Sequence, residues 1–214
     1  MRRFNPVFQG LPWEDGTHVL HVYACPDLTR DHDLAALVTA CHQAMKPYPI
    51  TIDDPAVLHI TLEMVADTTA DQISPTERQT LTTALHEHLA DVAPIEALLG
   101  SPVANKAGVL LDSGPDPAIN ALRDRVRQAL VSVRGPGTLQ HDGGRAHMTL
   151  GYAWGNADSD PLQSALRRIS PSHATMTIDR VHLLDVCFRQ RHDDTAGWAI
   201  SWNQIAEIPL NRRQ

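Results

Sequence analysis

Two segments of this chain alternate apolar and polar residues around the same four-letter word. Val57–Val65 reads VLHITLEMV and Arg145–Ala153 reads RAHMTLGYA, so His-x-Thr-Leu occurs twice, each time with the two-residue period of a half-buried β-strand. Residues two apart in a strand share a face. His59, Thr61 and Glu63 are therefore predicted on one face, opposite Leu58, Ile60, Leu62 and Met64; His147, Thr149 and Gly151 are predicted opposite Met148 and Leu150. Each strand has an apolar face to bury and a His/Thr face to present, and β-branching restricts the rotamers of each threonine hydroxyl. One copy alone reads equally well as a strand with a solvated histidine. With 12 histidines in 214 residues, a shuffled chain would hold about 0.1 copies of the word, so two copies, both set on strands, are not an accident of composition.

The surroundings repeat as well. Thr17–Ala24 (THVLHVYA) reads as a strand after an irregular N-terminal arm, and Thr29–Lys46 as a helix with Leu34, Leu37, Val38, Cys41 and Met45 at helical spacing. The first motif strand is followed by SPTE (Ser74–Glu77), a capping box that opens a helix carrying Leu81, Leu85, Leu89 and Val92. Short strands are expected near Ile95–Ala104 and Gly108–Asp112, then a helix with the stripe Ile119, Leu122, Val126, Leu130 and Val133, ending at Gly135. The Gly-rich loop Arg134–Arg145 lacks the phosphate-loop pattern and leads into the second motif strand. DSDP (Asp158–Pro161) opens a short helix, and the tail reads as two long strands, ATMTIDRVHLLDVCF and GWAISWNQIAEIPL. A motif strand followed by a helix and further strands occurs in both halves, which points to an internal duplication of α+β class with two sheets.

Composition narrows the partners. A net charge of −7 and a pI near 5.9 provide no broad positive field for long duplex nucleic acid, so an RNA or nucleotide partner must be held locally. Cys25, Cys41 and Cys187 lack C-x-x-C spacing and fit reduced thiols. No leader-like apolar segment follows Arg2 and Arg3, and no stretch approaches the roughly 18 apolar residues of a spanning helix. The expectation is a soluble, cytoplasmic monomer with no membrane partner.

Two imidazoles facing one another across a cleft are able to divide one proton between a base and an acid near neutral pH. Two hydroxyls beside them are able to donate hydrogen bonds to non-bridging oxygens. A phosphodiester fits that arrangement, and the scheme calls for no metal and no cofactor. The remaining histidines lack zinc-site spacing. His141 reads as a solvated loop residue, and Trp13, Tyr23, Trp154, Trp198 and Trp202 as core or rim residues, one of which is suited to stack on a base. Glu63, on the predicted His59 face, either tunes that imidazole or lies solvated at the cleft edge.

With its two H-x-T-L strands and duplicated halves, the chain resembles the 2H phosphoesterase superfamily, in its 2′-5′ RNA ligase-like, or RNA 2′,3′-cyclic phosphodiesterase, branch. LHITLEMVAD and AHMTLGYAW resemble the two signature strands, HVLHVYACPDLTRDHDLAALVTA the first strand, turn and helix, and MTIDRVHLLDV the closing strand. The resemblance implies one bilobal α+β domain over residues 1–214, with pseudo-two-fold lobes, each with an antiparallel sheet and helices, around a central cleft. It implies His59 and His147 as the catalytic pair, Thr61 and Thr149 as phosphate binders, and hydrolysis of a 2′,3′-cyclic phosphate on an RNA end or small nucleotide, with reverse 2′-5′ ligation as a companion activity. The division of roles stays open, with His147 written as base and His59 as acid. Relatives often carry Arg where Tyr152 stands. Strict alternation places Tyr152 on the face away from His147, whereas Arg145 lies on the catalytic face as a substitute cation; both count as substrate-binding candidates. The same chemistry on another small phosphodiester, and a nucleotide-binding module without turnover, are the competing readings.

Overall fold

The computed structural model describes residues 1–140, 144–191 and 197–211. The arm before the first expected strand is not wholly irregular: it holds a short hairpin, β1 (Val7–Phe8) with β2 (Leu11–Pro12). Then follow β3 (His18–Ala24), α1 (His32–Met45), β4 (Ile50–Ile52), β5 (Ile60–Met64), α2 (Pro75–Leu89), β6 (Ile95–Ala104), β7 (Gly108–Gly114), α3 (Asp116–Arg134), β8 (His147–Ala153), α4 (Asp160–Leu166), β9 (His173–Ile178), β10 (Arg180–Gln190) and β11 (Trp198–Pro209). Strands β3 to β11 form a curled antiparallel sheet in the order β11-β10-β3-β5-β8-β7-β6-β9, with β4 pairing the far end of β8.

The duplication is visible in that order. Four strands lie on each side of the β5–β8 junction, and β3 and β7 flank it in equivalent places. The helices cross over reciprocally: α1, which follows β3, packs on β8, β9 and α4, whereas α3, which follows β7, packs on β5 and α2. The two expected sheets are thus halves of one sheet, joined by a single ladder pair, Ile60 with Met148. The helix-facing core draws on both halves, with Leu58, Ile60, Leu62, Met148 and Leu150 packed among Leu34, Leu85, Leu122 and Val126.

Helix α2 begins where the sequence places it, with Ser74 Oγ accepting from the Glu77 N–H at 3.2 Å. The other half of the box is diverted, because the Glu77 carboxylate pairs with Arg134. The tail differs from expectation. ATMTIDRVHLLDVCF is two strands broken at Asp179: β9 pairs β6 at the outer edge of one half, and β10 pairs β3 in the other. Asp179 and the Thr177 carbonyl both accept from Arg30, at 2.6 Å each, which fixes the crossing point.

Candidate active site

The Ile60–Met148 pair sets the geometry of the site. Both side chains are fully buried on the helix side, so their neighbours along each strand face the other way. Extending the antiparallel register one residue in each direction places His59 beside Thr149 and Thr61 beside His147, at the roughly 4.5–5.5 Å Cα spacing of cross-strand neighbours. The four motif side chains thus come together around a local pseudo-dyad, with the imidazoles on one diagonal and the hydroxyls on the other.

Beyond the threonines, alternation fails at the same point in both copies. On β5, Thr61 pairs Tyr23 and Glu63 pairs Val22, which leaves Leu62 as an extra residue; on β8, Thr149 pairs Leu110 and Gly151 pairs Val109, which leaves Leu150 extra. These are β-bulges, and each reverses the facing of everything after it. Two expectations are corrected as a result. Glu63 does not share the His59 face: it is 1% exposed and turned towards α3, where its carboxylate accepts from Arg127 Nε at 2.6 Å and from the Met64 N–H at 3.0 Å. Tyr152 does not lie away from His147: it lines the same cavity as His147, Thr149 and Thr61.

Each imidazole is held by the same local device. His59 Nδ1 lies 2.8 Å from the Val57 carbonyl, and His147 Nδ1 lies 2.8 Å from the Arg145 carbonyl. A carbonyl only accepts, so Nδ1 carries the hydrogen and Nε2 is the nitrogen left for chemistry. His59 is stacked on Tyr23, with centroids 3.8 Å apart and planes at 11°, and meets the edge of Trp202 at 5.5 Å. This enclosure pushes its pKa down to about 4; the nearby His147 acts in the same direction, and the bond to Val57 opposes both.

Each threonine has a tyrosine. Tyr23 is hydrogen-bonded to Thr61 and Tyr152 to Thr149. Burial raises both phenols well above their ordinary range, Tyr23 further through Tyr152, and Tyr152 further through Asp53. Both therefore stay protonated. The Asp53 carboxyl, itself 8% exposed after β4, is pushed up by burial to about 7.

A cavity of about 300 Å³ opens over Thr61, His147, Thr149 and Tyr152, with Phe4 and Arg145 among its walls. His59 is not among the lining residues: it is half-buried, with Tyr23 stacked on one face of its ring and Trp202 set at right angles to it. Arg145 lies at the rim, exposed, with its guanidinium 3.2 Å from Asp116 and 3.8 Å from Asp112, so its charge is shared with two carboxylates. His141 lies outside the described residues. Among the described residues, no three His, Cys, Asp or Glu side chains cluster as metal ligands do, and no helix is long and apolar enough to cross a membrane. Tyr23, Trp202 and Phe4 are not distinguishable in sequence from core aromatics, because strand pairing and arm packing alone bring them to the motifs.

A family model described as the 2′-5′ RNA ligase superfamily matches residues 54–186, well over half the chain and both motif strands. Among solved structures, TT0787 of Thermus thermophilus is similar with a TM-score of 0.63 at 15% identity, over 92% of this chain and 100% of that one. E. coli LigT in its apo form gives 0.60 at 10% identity, over 92% and 100%. LigT complexed with 3′-AMP gives 0.57 at 11%, over 92% and 99%. At such identities the likeness is one of fold. No curated protein matches the chain significantly by sequence.

Proposed function

The chain belongs to the 2′-5′ RNA ligase superfamily, and from that premise we propose that it is a metal-independent phosphodiesterase that opens a 2′,3′-cyclic phosphate to a phosphomonoester. The observation that carries the proposal is the convergence of both H-x-T-L motifs on one face around Ile60 and Met148, with each Nε2 left free by a carbonyl-bound Nδ1. The structure of LigT with 3′-AMP supports a nucleotide-sized ligand.

His59, kept neutral by its aromatic enclosure, takes the base role. Its Nε2 removes a proton from water as the water oxygen forms a bond to phosphorus. The ribose oxygen leaves from the opposite side of phosphorus and takes a proton from His147 Nε2. At the end His59 is protonated and His147 neutral, and exchange with solvent resets the pair. This assignment reverses the one first written for a division of roles that the resemblance leaves open, because an imidazole whose pKa is held down is the one suited to enter the cycle without a proton. The Tyr23–Thr61 and Tyr152–Thr149 bonds serve the phosphate when the protonated phenol is the donor: each threonine hydrogen is then directed to a non-bridging phosphate oxygen. Run forwards with a ribose 5′-hydroxyl in place of water, the same steps give 2′-5′ ligation: the hydroxyl oxygen bonds to phosphorus, its proton goes to His59, and the 3′-oxygen of the opened ring leaves with the proton of His147.

Hydrolysis of adenosine 2′,3′-cyclic phosphate in EDTA tests the proposal. Turnover is expected, and His59→Ala or His147→Ala should each lower kcat by about 10²–10⁴-fold. Parental activity in either variant, or a flat rate profile from pH 5 to 9, would refute it. Nucleotide binding without turnover by the parent would leave a binding module in its place.

A further inference from the structure

The bulge in β5 leaves one carbonyl outside the β3 ladder at the centre of the site. Leu62, the extra residue, lies between Thr61, which pairs Tyr23, and Glu63, which pairs Val22. It is fully buried, and a buried carbonyl has to find a donor. In the second copy the corresponding carbonyl, that of Leu150, accepts from the backbone N–H of Asp53 at 3.2 Å. In the first copy a helix supplies the donor instead: Arg123 Nε, on α3, donates to the Leu62 carbonyl at 3.2 Å. The same guanidinium donates through Nη1 to the Gly144 carbonyl at 2.7 Å, three residues ahead of His147.

Arg123 is an unexpected residue for that place. It follows Ile119 by four and precedes Val126 by three, so it stands in the core-facing stripe of α3, and it is 8% exposed. No carboxylate among the described residues pairs with it; Glu63 is taken by Arg127, one turn further along α3. A buried cation without a counter-charge is costly, and an apolar side chain in the stripe would pack without that cost. What arginine supplies is a rigid fork of N–H donors, here spanning one carbonyl from each motif segment.

The second motif is approached through three carbonyls, each of them engaged. Gly144 accepts from Arg123, Arg145 from the His147 ring at 2.8 Å, and Ala146 from the Ser113 N–H at 3.0 Å and its hydroxyl at 2.9 Å. The carbonyl that orients the imidazole is therefore anchored on one side to α3 and on the other to β7. We propose that Arg123 is a positioning residue, which by bridging Leu62 and Gly144 fixes the Thr61 hydroxyl and the His147 imidazole relative to one another. The proposal rests on the phosphodiesterase reading above and adds a residue that touches no substrate: Arg123 reaches the strands from the helix side and is not among the cavity walls. The bridge joins the two halves of the duplication at the point where Thr61 and His147 stand side by side.

The test compares the parent with Arg123→Met and Arg123→Lys, in turnover of adenosine 2′,3′-cyclic phosphate and in heteronuclear NMR of the histidine rings. Methionine fills the volume without a donor, and lysine keeps a cation but loses the fork. Both variants should lower kcat by about 10- to 100-fold, the scale of a misplacement of about an ångström, with KM little changed. In the parent both rings should carry hydrogen on Nδ1. In the variants the His147 ring should become a mixture of tautomers, while the His59 ring, whose Val57 carbonyl precedes the bulge, should keep Nδ1–H. Folded variants with parental kcat and ring spectra, or with both rings altered alike, would reduce Arg123 to a stability role and overturn the proposal. Should Arg123→Met not fold, Arg123→Lys decides alone by the same criteria. A parent without turnover refutes the phosphodiesterase reading, and the bridge is then judged by the ring spectra, which need no substrate.

Discussion

Replacing Tyr23 by alanine should move the acid limb of the pH–rate profile upward, towards the ordinary histidine range. Tyr23 covers one face of the His59 imidazole at 3.8 Å, and enclosure holds that group near 4, against about 6.5 for a solvated histidine. At pH 5.5 an imidazole with a pKa near 4 is about 97% neutral, whereas one near 6.5 is about 9% neutral. If His59 is the base, kcat/KM at pH 5.5 relative to its plateau should therefore fall in Tyr23→Ala, by up to about tenfold if the imidazole returns fully to 6.5. Tyr23→Phe keeps the stacked ring and loses only the hydroxyl on Thr61, so its acid limb should stay near 4 while its plateau drops. The assay is the rate profile in parallel with an NMR titration of the His59 ring. A parental limb near 6.5, or a limb that stays put in Tyr23→Ala, would refute the reasoning. The same depressed pKa has a signature in folding. Between pH 6.5 and 4 the unfolded chain binds a proton that the folded His59 refuses, so stability should decline as pH falls through that window, by at most about 3 kcal/mol, and change no further from this group below pH 4.

Three further substitutions address the bulges. With the Glu63 side chain wholly buried and Arg127 partly solvated, Arg127→Ala strands a buried carboxylate and should cost about 3–5 kcal/mol in urea unfolding, more than Glu63→Ala does; the opposite ranking would contradict the inward placement of Glu63. Neither variant should move the acid limb assigned to His59. At Gly151 an added Cβ would lie 2.5 Å from the Thr51 carbonyl oxygen and 2.7 Å from Met45 Cε. Gly151→Ala should therefore cost about 1–3 kcal/mol, read as a lowered melting temperature, and should raise KM by shifting Tyr152; an unaltered melting temperature would count against the bulge.

Much of the site is legible in the sequence because its signal is local. The two H-x-T-L words, their alternation and their duplication put His59, Thr61, His147 and Thr149 on matching strands before any pairing is known, and the structure brings those strands together at Ile60 and Met148. Alternation serves only as far as the threonine. An extra residue in one strand is defined by its partner's register, and nothing in LEMV or LGYA announces it, so alternation assigns Glu63 and Tyr152 to the wrong face. Gly151 is a partial exception, since a strand glycine is a known companion of bulges and close backbone approach. The break at Asp179 is hidden for a similar reason: β9 and β10 are both good strands, and only the crossing between sheet halves separates them. Arg145 shows the converse. Its place on the catalytic side is readable, but the carboxylates of Asp112 and Asp116 that share its charge come from β7 and the start of α3.

The division of labour between the two imidazoles is tested most directly by changing the leaving group. A ribose oxygen needs a proton to depart, whereas p-nitrophenolate does not. Rates for adenosine 2′,3′-cyclic phosphate and for a p-nitrophenyl phosphodiester, measured with His59→Ala and His147→Ala, therefore separate base from acid. The expected result is that His59→Ala loses activity on both substrates by about 10²-fold or more, while His147→Ala loses it on the ribose substrate and recovers to within about tenfold of the parent on the p-nitrophenyl ester. Equal losses for both variants on both substrates, or recovery by His59→Ala alone, would contradict the assignment of His59 as base and His147 as acid.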